Sequence, residues 1–382
     1  MKFGLRFPTE IIFGNDTINQ IGTKSREYGD KAFLVTGRSA MRKAGSIEKI
    51  VNLLKSAGFE DVYLYDQAEH DPSVKTVDQG VKLAKDGNYN VVIGVGGGSA
   101  MDTAKTIASL INNEGSTADY QSGKEITKPG VPFIAVPTTA GTGAEITNNS
   151  VITNTEKKIK QSIRSPLMIA KVAIVDPILT VTMPPNVTAS SGMDALTQAI
   201  ETYVSLAANP FSDTLALRSI SLISHNLVKA FENGNDMEAR ENMAMGSLFG
   251  AMAFANSALG AVHGLAHPVG ALFDVPHGVI CGLLLPYVME YNLSAKTDRF
   301  AQIAKIMGQY IDGESDEANA QKAVDFVHDL IAKMRLPKRL NELGINRDNL
   351  PLIARSAKGS SLNNNPRPTT PESLVEILLS AL

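Results

Sequence analysis

Apolar residues fall into two regimes along this chain. Between residues 31 and 177, short apolar runs alternate with stretches of helical spacing. KAFLVTG (31–37), DVYLYD (61–66), NVVIGVG (90–96), VPFIAVPTT (131–139) and VAIVDP (172–177) read as buried strands, each bounded by turn residues. SIEKIVNLLKSAG, VKTVDQGVKLAKD (74–86) and SAMDTAKTIASLI (99–111) lie between them and repeat their apolar residues as one face of a helix; the first ends in Gly, a helix stop. Strand and helix in alternation predict a parallel sheet covered by helices on both faces. FGLRFPTEIIFG (3–14) predicts one more strand or a hairpin.

After Pro184-Pro185 the period changes. Helical spacing runs through 187–206, 211–231, 236–254, 258–270, 277–292, 295–311, 316–334 and 371–381, with no strand pattern among them. The breakers in DPILTVTMPP place a boundary near 178–186. The expected organisation is therefore an α/β domain with a parallel Rossmann-like sheet over residues 1–182 and an all-α domain over 183–382. Met243–Val262 is uncharged for 20 residues, long enough for a bilayer. Its Gly, Ala, Ser and Asn content points instead to two close-packed core helices.

Composition narrows the class. With 382 residues, 43% of them apolar and 20% charged, the chain can bury two cores and is not a disordered sequence. A net charge of −3 gives no basic field for nucleic acid. One cysteine, Cys281, excludes an internal disulfide and a multi-cysteine zinc site. MKFGLRFPTE has no apolar signal core, so a cytoplasmic protein is expected, with no membrane partner.

Two constellations carry chemistry. Asp194, Gln198, His263, His267 and His277 stand in otherwise apolar sequence (SGMDALTQAIE, GAVHGLAHPVGA, FDVPHG). Burying such groups is costly unless they bind something, and imidazole, carboxylate and amide oxygen together suit Fe(II) or Zn(II) better than Mg(II) or Ca(II). The pairs Asp194/Gln198 and His263/His267 are each spaced i, i+4 and share a helix face. The second constellation is Gly94-Val95-Gly96-Gly97-Gly98-Ser99, which leaves a strand and opens a helix whose free N–H groups could seat a pyrophosphate. Asp102 is read as lying in the first helical turn. A second small-residue loop, from Pro137 to Gly143, follows the next strand, and two such loops favour a nucleotide above the sheet.

GVGGGSAMDTAK, PTTAGTGAE, SGMDALTQAIE, AVHGLAHPVGA and DVPHGV together resemble the iron-containing (group III) alcohol dehydrogenases, in order and spacing and over nearly the whole chain. The resemblance implies the dehydroquinate synthase-like fold of that family, with an active site between its two domains. It implies reversible, NAD(P)-dependent, metal-assisted hydride transfer between a small primary alcohol or diol and its aldehyde. Carried over, the metal ligands are Asp194, Gln198, His263 and His277, holding Fe2+ with Zn2+ as the alternative; the family usually has His where this chain has Gln198. His267 would relay a proton. Gly96, Gly97, Gly98, Ser99, Asp102, Thr138, Thr139, Thr142, Lys160 and Leu179 would line the cofactor site, and Phe254 the substrate pocket. The first long strand ends in Gly37-Arg38-Ser39 with no acid, which favours NADP over NAD. Partners would be the alcohol or aldehyde and further copies of the chain as a homodimer or larger homo-oligomer. A glycerol dehydrogenase-type polyol enzyme and a metal-free relative are the alternatives. A dehydroquinate synthase activity is disfavoured, because the only basic side chains besides His between 190 and 285 are Arg218, Lys229 and Arg240.

Overall fold

The computed structural model describes residues 3–38, 45–157 and 159–382. They form two compact units. One comprises residues 7–139 and 143–182; the other comprises 183–382 with 140–142 and the stretch ending at Arg6.

The first unit is built on strands β1 (Glu10–Phe13), β2 (Lys31–Gly37), β3 (Asp61–Ala68), β4 (Val91–Gly96), β5 (Phe133–Pro137) and β8 (Val172–Val175). They lie in the order β1-β8-β5-β4-β2-β3 and every pair is parallel. Residues of β4, β5 and β8 are buried throughout, as expected of a sheet covered on both faces. Helices α1 (Ile21–Arg26), α2 (Ser46–Ser56), α3 (Val74–Asp86), α4 (Gly98–Leu110) and α5 (Thr117–Gln121) complete this alternating part. The strand order reverses between β2 and β4: β3 lies outside β2 on one side, and the chain then returns to build β4, β5 and β8 on the other. The carboxyl ends of β2 and β4 thus flank the switch point where open α/β sheets bind ligands.

Two features differ from the sequence reading. Within FGLRFPTEIIFG only Glu10–Phe13 is a strand, and it adds to the sheet edge in parallel with β8 rather than forming a hairpin. An antiparallel pair, β6 (Asn149–Asn154) and β7 (Ile159–Arg164), stands apart from the main sheet. Its strands are short and half polar (NSVITN, IKQSIR), so their period-two signal is weak.

The second unit is helical: α6 (Pro185–Val204), α7 (Pro210–Glu232), α8 (Met237–Ala255), α9 (Ala261–Phe273), α10 (His277–Asn292), α11 (Thr297–Ile306), α12 (Asp316–Lys333), α13 (Leu350–Ser356), α14 (Ser360–Asn363) and α15 (Pro371–Ser380). The uncharged run 243–262 is divided between α8 and α9, and no helix among the described residues is long and apolar enough to cross a membrane. α6 starts at Pro185, whose fixed φ suits a first helical position, and from Gly192 to Val204 every residue is buried. Its neighbour α10 comes unusually close. A Cβ placed on Gly278 would lie 2.3 Å from the backbone oxygen of Ser190. Only glycine permits that approach, and the approach sets the start of α10 beside the second turn of α6.

Gly278→Ala should force the two helices apart. We expect a loss of about 1–3 kcal/mol of stability, the usual cost of overpacking, read as a lower thermal midpoint. An unchanged midpoint would show that the contact yields without strain.

Candidate functional site

Asp194, Gln198 and Glu201 follow one another at i, i+4 and i+7 on α6, and all three are buried. α9 brings His263 and α10 brings His277 and Cys281 to the same place. One ligand atom from each of Asp194, His263, His277 and Cys281 lies within 4.8 Å of the others. His263 Nε2 is 3.4 Å and His277 Nε2 is 3.8 Å from Asp194 Oδ1. The ring of His267, one turn beyond His263 and half-buried, stacks on that of His277 with centroids 5.5 Å apart.

Glu201 organises this cluster. Its Oε1 accepts the Val262 backbone N–H at 2.6 Å, and its Oε2 is 2.6 Å from His263 Nδ1. A carboxylate on Nδ1 fixes the proton there and leaves the Nε2 lone pair for a cation, the arrangement typical of metal-bound histidine. Without a cation the same groups share a proton. Burial lowers the His263 imidazole's affinity for it, but Glu201 and Asp194 outweigh burial and push the imidazole up to about 10. Burial likewise raises the Asp194 carboxyl, and His277, His263 and the Gln198 amide more than offset this, leaving it below the ordinary carboxylate range.

The donor set fits a divalent transition metal. Asp194 Oδ1, Gln198 Oε1 and His263 Nε2 are buried and have no hydrogen-bond partner among the described residues, which is costly for each unless a cation meets them. Imidazole and thiol beside a carboxylate favour Fe(II) or Zn(II) over Ca(II) or Mg(II), which take oxygen ligands alone.

The nucleotide loops lie in the other unit. α4 begins directly after β4 with Gly97 as its N-cap and no side chain capping it, so its first N–H groups are free for an anion. Gly96 has φ +150°, and a Cβ there would lie 2.7 Å from Ala100 Cβ. The loop after β5 abuts it: Thr138 N–H donates to Gly96 O at 2.9 Å, and a Cβ on Gly97 would touch the Thr139 methyl at 3.2 Å. Lys160 Nζ pairs with Asp71 Oδ1 at 2.6 Å, and the Asp71 N–H approaches Ser99 Oγ at 3.4 Å. Arg38 Nη2 meets Glu69 Oε2 at 3.0 Å.

The family profile "Iron-containing alcohol dehydrogenase" matches residues 8–177, and "Fe-containing alcohol dehydrogenase family, C-terminal" matches residues 188–382. The chain belongs to the iron-containing alcohol dehydrogenase family. The NAD-dependent methanol dehydrogenase of Bacillus methanolicus is 36% identical over 376 residues, 98% of each chain. The NADPH-dependent butanol dehydrogenase of Clostridium saccharobutylicum is 36% identical over 390 residues, 99% of this chain and 97% of that one. A crystal structure of 1,3-propanediol oxidoreductase superposes with a TM-score of 0.96 at 38% identity, covering 100% of both chains. The protein is an oxidoreductase that interconverts alcohols and aldehydes with a nicotinamide cofactor.

Set against this iron-containing alcohol dehydrogenase fold, the residues expected from sequence are placed as follows. Asp194, Gln198, His263, His267 and His277 come together. Gly37 ends β2 with Arg38 just after it, and Gly96 ends β4 with Gly97, Gly98 and Ser99 leading into α4, on either side of the strand-order reversal. Ser39 lies outside the described residues. Thr138 and Thr139 adjoin the glycine turn, whereas Thr142 is exposed and belongs to the helical unit. Leu179 packs, partly buried, on the sheet core. Phe254 is half-buried near the end of α8. Asp102 requires a correction: it falls beyond the first turn of α4, and its Oδ2 accepts the Val151 N–H of β6 at 3.0 Å. Burial pushes its carboxyl up to about 6, against the pull of Lys105 and Lys160. Lys160 is not part of a solvated charge run, since its side chain is 9% exposed and ion-paired.

Sequence reasoning missed four residues: Glu201, Cys281, Asp71 and Glu69. Glu201 carried a usable signal, because it stands at i+7 from Asp194 and i+3 from Gln198 in an apolar helix. Asp71 and Glu69 sit in a turn whose partners are distant in sequence, and nothing local marks them.

Glu201→Gln should weaken metal binding by about 10–100-fold, the usual cost of removing a carboxylate behind a ligand histidine, as read by competition with a chromogenic chelator. Parent affinity would then match the variant's only if Glu201 plays no part. The same titration carries a pH signature. The His263 pair stabilises the metal-free fold fully below about 6.5, and that contribution is lost as pH rises toward about 10. Metal uptake displaces this proton, so affinity should rise with pH by about tenfold per unit for each proton released.

Proposed function

We propose that the protein reduces short aldehydes, and oxidises the matching primary alcohols or diols, at a divalent metal held by Asp194, His263 and His277 with Gln198 beside them. What supports this most is the set of buried, partnerless atoms on three of these residues. When bound, the metal polarises the reacting oxygen as a Lewis acid and the nicotinamide carries the hydride. The chain's own residues do the rest. Glu201 keeps the His263 proton on Nδ1, so Nε2 stays a donor. Asp194 is buried and ionised, which concentrates negative charge where a cation is needed. His267, half-buried and stacked on His277, is the group we assign to carry the proton between the reacting oxygen and solvent. The free N–H groups of α4 hold the pyrophosphate, and Ser99, Lys160 and Asp71 shape the wall beside it.

For the nucleotide we propose NADP(H). β2 ends in Gly37-Arg38 with no carboxylate of its own, and the Arg38 side chain is 61% exposed. Glu69 engages one guanidinium nitrogen; its carboxyl, raised by burial but lowered more by its bonds to Thr76 and Ser73 and by Arg38, lies below the usual range. The planar fork retains donors for a 2′-phosphate. Relatives of both nucleotide types exist, so the choice rests on these side chains.

Chelation should abolish aldehyde-dependent NAD(P)H oxidation, with recovery on adding Fe2+ or Zn2+; His263→Ala and His277→Ala should lose bound metal and turnover together. Full turnover in a stripped enzyme would defeat the metal assignment. Separately, Arg38→Ala should raise KM for NADPH by about tenfold, the worth of one charge-assisted contact, and leave KM for NADH nearly unchanged. An equal effect on both cofactors would defeat the NADP(H) reading.

A further inference from the structure

We infer that Cys281 is a metal ligand of this protein, its thiolate joining Asp194, His263 and His277. The inference rests on the metal-dependent reading above.

Two observations carry it. First, the donor atoms form a shell of the right size. Tetrahedral bonds of zinc-like length put nitrogen and oxygen donors about 3.4 Å apart, and nitrogen and sulfur donors about 3.6 Å apart. Three of the six separations are 3.4 Å for His263 Nε2 to Asp194 Oδ1, 3.8 Å for His277 Nε2 to Asp194 Oδ1, and 3.5 Å for Cys281 Sγ to His277 Nε2, and all six lie within 4.8 Å. Second, the sulfur is fully buried one turn along α10 from His277, so both side chains share a face. They point at a spot where Asp194 Oδ1 and His263 Nε2 have no other partner.

The chemistry follows from the donor set. Metal uptake releases the Cys281 thiol proton to solvent, and the two anionic ligands, Asp194 and Cys281, balance the charge of a divalent ion. A sulfur donor moves the site toward Zn(II) and Co(II) relative to a shell of nitrogen and oxygen alone. The position of Gln198, a weak donor for these metals, is then compensated from α10 rather than left as a gap.

Cobalt(II) added to the metal-stripped, full-length protein tests this directly. One equivalent should bind and give an intense near-ultraviolet sulfur-to-cobalt charge-transfer band. Cys281→Ala and Cys281→Ser should bind cobalt without that band and hold Zn(II) more than about 100-fold less tightly, beyond the cost of losing an outer-shell partner. Gln198→Ala should keep the band. Cobalt bound by the parent without the band, or a band that persists in Cys281→Ala, overturns the ligand assignment and leaves the metal-dependent reading standing. No cobalt bound by the parent, or binding indifferent to His263→Ala, overturns both. If the cysteine variants fail to fold, the parent spectrum still decides.

Discussion

The buried contact between Glu201 and His263 is the constraint around which the helical unit is arranged. An imidazole and a carboxylate cannot be taken out of water cheaply, so each must be met by a partner of fixed geometry. Glu201 meets two groups at once, the Val262 N–H and His263 Nδ1, and so ties the start of α9 to α6. Asn365 closes the same junction from the far end of the chain, accepting the Ala261 N–H at 3.2 Å and exchanging hydrogen bonds with Asn292. Because these bonds fix α9, the second nitrogen of His263 has only one direction to face.

The sheet unit solves a different problem with backbone rather than side chains. An anion needs several donors close together, and a helix N-terminus supplies them if nothing intrudes. The uncapped start of α4 does so, and the Thr138 bond to Gly96 fixes the neighbouring loop against the glycine turn. Lys105 secures the opposite face of α4. It is fully buried, and its Nζ donates to Thr147 O and Asn149 O at 2.9 and 2.8 Å, which anchors the start of β6. Burial pushes its ammonium down to about 8, against the pull of Asp102 and Glu145.

Much of this was legible from residue order alone, for stated reasons. The buried strands announced themselves because a sheet covered on both faces demands continuous apolar runs, as in VVIGVG and FIAVP. The candidate ligand residues stood out because charge and imidazole are conspicuous in apolar helices. What escaped was set by contact between distant segments. The β6–β7 pair is stabilised by Asp102 and Lys105 on α4 rather than by its own pattern. Asp102 looked like a dipole-stabilising acid until the helix start at Gly98 placed it a turn too far along. Cys281 was passed over because a lone cysteine in LLLP-rich sequence reads as a small core residue, and only the approach of α10 to α6 at Gly278 gives it other company.

That close approach has a wider consequence. The donors come from three separate helices, α6, α9 and α10, whose mutual spacing is fixed by packing without a side chain at Gly278. An ion seated among them, as proposed above, would act as a cross-link of the helical core as well as a reagent. Its binding energy therefore counts toward folding: at a free concentration about a hundred times the dissociation constant, it contributes about 2.7 kcal/mol. The cell's supply of the ion and the enzyme's lifetime are then coupled, and starvation for metal would remove the protein as well as its activity.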